Sequence, residues 1–382
     1  MFRKGVSTKK LALLIVTILL CLFAVIAPGA QGQKKPVAAI SWSRCLSQKP
    51  NFYAGDEAVR IADNVLLYQR NTGGWQKGVD MARVLSEAER TKINKAKTKK
   101  DSTLDNGATH TQMRYLAKVY NATRLERFRQ AFLKATDYLL EAQYHNGGWP
   151  QFYPWQGHAD YSRYITFNDG AMIGAMSVLS DIAKKKNQYA FVDEDRRSRA
   201  EKAVQKGIEC ILKCQIIVDG KRTAWCQQHD QITFEPRPAR SYEKISICAG
   251  VSTGVVKFLM SIDDPDSDVI EAVQSAVAWF DRVKLTGIRQ IKKPDKSLER
   301  GYDKVIVKDA TAPPIWARFY QIGTNRPIFS GRDGKIKYHL AEIEQERRTG
   351  YAWYGYWPAE LLARDYPTWQ KKWSPEKNVL GN

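Results

Sequence analysis

Residues 66–77 read LLYQRNTGGWQK, and residues 140–151 read LEAQYHNGGWPQ. Both carry Leu-x-x-Gln, and in both a Gly-Gly-Trp places its tryptophan six residues after the glutamine. A looser third copy at 212–228, LKCQIIVDGKRTAWCQQ, has four extra residues before the tryptophan. Trp75, Trp149 and Trp225 are thus 74 and 76 residues apart, a period that points to stacked supersecondary units. An amphipathic helical stripe precedes each copy. The first is Ala58, Ile61, Ala62 and Val65. The second is Phe128, Ala131, Phe132, Ala135, Leu139 and Ala142. The third is Ala200, Ala203, Val204, Gly207, Ile208 and Ile211. A second helix follows each copy, and in the second and third it is apolar nearly all round, as expected of a buried helix. One helical hairpin cannot bury its own apolar face, but three can close into an α/α toroid. The expected fold is therefore mainly α, a toroid of three helical hairpins over residues 37–284. Its Gly-Gly-Trp loops gather at one end, where binding surfaces are commonly built.

Beyond residue 284 the pattern changes to Gly, Pro and charge, which predicts an irregular C-terminal cap with short strands over 285–382. At the other end, a basic start (MFRKGVSTKK), an uninterrupted apolar run (LALLIVTILLCLFAVIA) and a small-residue break (PGAQGQ) read as a signal peptide over residues 1–30, an uncleaved anchor being the alternative. The chain is expected to be exported, secreted or periplasmic. Removing the leader lowers the formal charge from +20 to +16. A basic exported protein favours polyanionic partners. Five cysteines remain, Cys45, Cys210, Cys214, Cys226 and Cys248, without the spacing of a zinc site. They are expected as small core residues, with a Cys226 disulfide left open.

Two of the second helices begin alike, at LDNGAT (104–109) and FNDGAM (167–172). An acid–amide pair at a helix start reads first as an N-cap. Two such pairs in equivalent repeats also converge on one cleft, and their oxygen-only donor set suits Ca²⁺. At the corresponding place in the third repeat the expectation is PRPARSYEKIS (236–246). Its Arg237, Arg240 and Lys244 are placed to face an anionic ligand, since the guanidinium fork bonds carboxylates bidentately. No Gly-x-Ser-x-Gly, His-Glu-x-x-His or phosphate loop is present. Asp105 and Asp169 also serve a glycosidase, so hydrolysis stays as an alternative, as does a non-catalytic polyuronate binder. The aromatics form no nucleic-acid motif, so no nucleic-acid partner is expected.

Taken in order, STLDNGATHTQ, NGGWPQFYP, ITFNDGAM, ARSYE and APPIWARFYQIGTNRPIFSGRDG resemble the pectate lyases of polysaccharide lyase family ten, over roughly residues 45 to 365. The resemblance implies an α/α toroid-like fold and Ca²⁺-assisted β-elimination of polygalacturonate. It implies metal and substrate-carboxylate roles for Asp105 and Asp169, with Asn106 beside them. Arg240 then matches the residue that removes the C5 proton. Arg326 or Arg332 matches a substrate-carboxylate binder, Arg326 being preferred. Trp75, Trp149 and Tyr153 are expected as platforms for sugar rings. The chain departs from the family at ADYSRY (159–164) and KISIC (244–248), which bears on substrate preference. A monomer with no stable membrane association after leader removal completes the expectation.

Overall fold

The computed structural model describes residues 40–380. The expected leader lies outside the described residues. Among these residues ten α-helices follow one another: α1 (Asp56–Tyr68), α2 (Glu87–Lys95), α3 (His110–Thr123), α4 (Glu126–Glu141), α5 (Ala171–Ala183), α6 (Glu194–Cys214), α7 (Ala249–Met260), α8 (Ser267–Arg282), α9 (Gln345–Gly350) and α10 (Tyr366–Trp373). The helix pairs α3 on α4, α5 on α6 and α7 on α8 pack closely, and in chain order the three expected hairpins correspond to α1–α3, α4–α5 and α6–α7. Their first helices lie side by side, α1 on α4, α4 on α6 and α6 on α8. Their second helices form another row, α3 on α5 and α5 on α7. This is the α/α toroid, and the described residues after α8 are mostly irregular, with short strands and the helices α9 and α10.

The repeat's residues build it. The indoles of Trp75, Trp149 and Trp225 are fully buried. Each donates its N–H to a carbonyl of the helix the chain has just left: Val65 at 2.7 Å, Leu139 at 2.8 Å and Ile211 at 2.8 Å. The expectation that Trp75 and Trp149 carry sugar rings is therefore corrected: the loop folds back over the helix end and puts both rings in the core. The glutamines cross-link units. Gln69 donates to Gly73 and to Ala131 on α4, Gln143 to Gly147 and to Ala203 on α6, and Gln215 to Thr223 and to Ala272 on α8. A single amide thus closes its own loop and satisfies a carbonyl of the next unit. The glycines have a matching reason. A Cβ at Gly147 would sit 2.0 Å from the Lys206 carbonyl of α6.

A fourth unit, absent from the sequence reading, obeys the same bonding. In each repeat the residue after the glutamine donates its N–H to the residue before the tryptophan: Arg70 to Gly74, Tyr144 to Gly148, and Ile216 to Ala224. Leu285 donates to Ile315 in the same way at 2.8 Å, and Trp316 donates its indole N–H to Phe280 on α8. Lys284 stands where the glutamine would be and pairs with Asp281. The α10 end packs back on α8 through Gln274 Nε2 and Ser374 Oγ at 2.9 Å. Between α8 and Trp316 lies an antiparallel hairpin of two seven-residue strands, Ile288–Pro294 with Tyr302–Lys308. The strand Phe319–Tyr320 pairs with Ile247–Cys248, which ties the C-terminal region to the third unit.

The five cysteines are buried free thiols, and no disulfide occurs among the described residues. No described helix is long and apolar enough to cross a membrane.

Candidate active site

The segments running from each repeat tryptophan to its second helix emerge at one end of the helical rows. They are pinned where they re-enter. Thr103, Thr166 and Cys248 donate their N–H groups to the carbonyls of Trp75, Trp149 and Trp225 at 3.0, 3.0 and 2.8 Å. In the first two repeats the acid–amide pair follows this bond by two residues. In the third that place is residues 250–251, so the basic segment 236–246 is part of the excursion before it. That corrects the expected alignment.

Neither acid–amide pair caps its helix: no side-chain cap bond forms at the start of α3 or α5. The backbone supplies another reason for the residue types. Asn106 (φ 51°) and Asp169 (φ 50°) are left-handed, a conformation Asn and Asp tolerate better than other side-chain-bearing residues. The partners, Asp105 and Asn168, point inward and are buried. Each amide donates to its own acid, Asn106 Nδ2 to Asp105 at 3.3 Å and Asn168 Nδ2 to Asp169 at 3.0 Å. Gln227 fixes Asn168 in turn, at 2.7 Å. The turn that carries Asp105 packs against the turn that carries Asp169, close enough for the charge of Asp105 to act on the Asp169 carboxyl. Burial, and then the charge of Asp105, hold the Asp169 carboxyl above the usual range, while Arg318 and Arg240 draw it back. Lys77 pairs with Asp105 Oδ2, and Asp105 Oδ1 is buried with no partner.

Arg240 is held by Glu243, Nε to Oε2 at 2.7 Å and Nη2 to Oε1 at 2.6 Å. Tyr351 donates its hydroxyl to the same carboxylate at 2.8 Å. Burial pushes Glu243 up, but the Arg240 bonds outweigh it and leave the carboxyl below its usual range. The same bonds raise the Arg240 guanidinium above its ordinary value. The Tyr242 ring collects three guanidiniums: Arg347 at 4.8 Å, Arg240 at 5.0 Å and Arg332 at 5.9 Å. Arg332 also pairs with Glu346 at 2.8 Å. Lys244 lies against the Gly334 turn beside them. Arg237 is bound to Asp230 at 2.9 Å.

The structure thus brings together Asp105, Asn106 and Asp169 with Arg240, and Arg332 with Arg240. Arg326 stacks on Tyr338 at 3.7 Å, and no described contact ties it to either group. Sequence reasoning missed Lys77 and Arg318. Lys77 follows the first Gly-Gly-Trp by two residues, and Arg318 follows the fourth-unit Trp316 by two. That shared offset was the available signal, hidden because the fourth unit was not recognised. A cavity of about 320 Å³ lies beside the carboxylates, lined in part by Trp42, Lys77, Asp80 and Asn106.

A site with neighbouring carboxylates on one wall and clustered guanidiniums on the other fits an anionic ligand. The pectic acid lyase family model matches residues 69–362. The chain belongs to the pectic acid lyase family. Two solved structures agree with this lyase. The family 10 polysaccharide lyase from Cellvibrio cellulosa is 34% identical, with a TM-score of 0.70 over 87% of this chain and 94% of that one. An aspartate-to-alanine mutant of the family 10 lyase from the same organism, in complex with trigalacturonic acid, is also 34% identical. Its TM-score is 0.72, over 87% of this chain and 96% of that one. No curated protein matches. The chain is therefore an enzyme of the polysaccharide lyase class.

Proposed function

We propose that this lyase cleaves polygalacturonate by Ca²⁺-assisted β-elimination, with Arg240 taking the C5 proton, and that it is exported through the leader at residues 1–30. The observation that carries the reading is the buried, partnerless Asp105 Oδ1 in the turn packed against that of Asp169. Two neighbouring hard carboxylates that repel one another, one of them with a buried oxygen lacking a partner, suit a divalent cation. Among the described residues no cluster of three or more His, Cys, Asp or Glu occurs. Protein oxygens are therefore few, and the substrate carboxylate and water complete such a site. Asp105, Asp169 and the Asn106 amide would hold the cation, which supplies charge neutralisation at the uronate carboxylate.

The chain's own residues do the rest. Arg332 and Arg318 bind and orient carboxylates, and so stabilise the negative charge that builds as C5–H breaks. Arg240, having first lost a proton to solvent, accepts the C5 proton on its neutral guanidine. The C5–H electron pair forms the C4–C5 double bond, the C4–O bond breaks, and the departing oxygen takes a proton from water. Glu243 biases Arg240 against this role by raising its pKa, so bound substrate has to displace that ion pair. The rival hydrolytic reading fits less well. An inverting carboxyl pair stands about 6.5–9.5 Å apart to admit water, whereas Asp105 and Asp169 sit on turns that pack directly together and interact strongly enough to hold the Asp169 carboxyl above its usual range.

The test is ultraviolet absorbance on polygalacturonate with calcium and then with a chelator. The expected result is a rise from unsaturated product that the chelator abolishes. Reducing ends without absorbance would sink the lyase chemistry, and a rise that survives the chelator would sink the calcium role.

A further inference from the structure

The hairpin 288–308 interrupts the fourth unit and projects from it with charges the catalytic reading does not use. Its register sets Lys292 directly opposite Lys304, on one face of an antiparallel pair. Like charges so placed destabilise a sheet unless something else offsets them. No acid does so: Lys292, Arg300 and Lys304 form no ion pair among the described residues, whereas Asp303 is taken by Arg348 at 2.5 Å. Burial, and then Lys292 and Arg300, hold the Lys304 ammonium below its ordinary range. The ring of Tyr302 lies under Lys292 at 4.8 Å.

These cations continue toward the candidate site. Lys304 Nζ donates to the carbonyl of Tyr351 at 2.9 Å, the residue whose hydroxyl holds Glu243. The Arg300 guanidinium approaches Gly350 alongside that of Arg347, and Arg347 covers the Tyr242 ring shared with Arg240. Part of the inner stretch is neutralised, since Glu346 pairs with both Arg332 and Arg347. The outer stretch on the hairpin is not.

We propose that the hairpin is an accessory polyuronate-binding arm, on which Lys292, Arg300 and Lys304 hold a stretch of acidic polysaccharide chain beyond the sugars at the cleaved bond. The occupant follows from charge complementarity: a ligand with a carboxylate on every sugar meets a row of unpaired cations over an aromatic ring. The inference rests on the polygalacturonate reading above, and its test separates the two.

The variant is Lys292→Gln/Arg300→Gln, with Lys304 left in place because it braces Tyr351. The expected result is a rise in KM on long polygalacturonate of about three- to tenfold, as two exposed charge contacts would give. The turnover number and the kinetics on trigalacturonate stay unchanged. The same pair of changes in an Arg240→Ala background is expected to elute earlier in salt from immobilised polygalacturonate. An unchanged polymer KM with unchanged retention overturns the arm, as does an equal loss on trimer and polymer. A wild-type enzyme that yields no unsaturated product but whose retention still depends on Lys292 and Arg300 overturns the catalytic reading and leaves the arm standing.

Discussion

At the scale of single residues, the decisive contact is the Arg240–Glu243 pair. A guanidinium with two short bonds to a buried carboxylate is a poor base, because removing its proton would leave Glu243 buried and uncompensated. Arg240→Ala is expected to lower kcat by about 10²–10⁴, the range of a positioned acid–base group, while KM changes little, since Arg318 and Arg332 remain. Glu243→Gln keeps the shape and the Tyr351 contact but removes the charge that raises Arg240. The expected outcome is a pH profile of kcat/KM whose rising limb moves to lower pH, read from initial rates across the alkaline range. An unmoved limb would mean that another group takes the proton. The sequence disclosed the types of these residues but not their partners. ARSYE contains both members of the pair, but only the turn between them brings Arg240 back onto Glu243. Asn106 and Asp169 were legible for a different reason than the one that places them, since the left-handed backbone, and not capping, selects Asn and Asp there.

At the scale of elements, the repeat was legible because its glutamine and tryptophan serve bonds that recur in every unit. Its third copy survived four inserted residues for the same reason. The fourth copy was not legible, because the 288–308 hairpin separates α8 from Trp316 and because Lys284 replaces a glutamine that has no further unit to bind. The tryptophans were misread as ring platforms because spacing alone does not tell which way a loop folds. The bond from each indole to the preceding helix decides it. These bonds make a quantitative expectation. Gln215→Ala strands the carbonyls of Thr223 and Ala272 in a buried seam, at a cost of about 1–3 kcal/mol each in the absence of water. Chemical denaturation should show that loss, with specific activity unchanged in the fraction that remains folded. Loss of activity at unchanged stability would show that the seam positions the site rather than the fold.

At the scale of the whole molecule, stability should fall in mild acid for a reason that can be isolated. His229 is fully buried, and burial pushes its imidazole down to about 4. Its Nε2 accepts the Cys226 N–H at 3.1 Å, and Nδ1 contacts the Phe234 carbonyl at 2.8 Å, so the neutral ring with its proton on Nδ1 satisfies both. A group whose folded pKa lies below its unfolded value of about 6.5 is protonated first in the unfolded chain. Its contribution is complete above about 6.5 and is lost as pH falls toward 4, by about 3 kcal/mol at most. Ion-paired carboxylates act in a lower window. Glu346, held down to about 2 by Arg332 and then Arg347, loses its contribution only below the usual carboxylate range. Asp169, held above that range, works in the opposite sense. His110, also held down to about 4 by burial, adds to the His229 effect. The comparison that separates His229 is therefore wild type against His229→Asn, which keeps a donor near Nδ1 and does not titrate. Between pH 6.5 and 4 the wild-type unfolding free energy should fall more steeply than the variant's, and above pH 7 the two curves should run parallel. Equal slopes across the acid window would show that His229 does not titrate differently in the folded and unfolded protein, and so does not drive the loss.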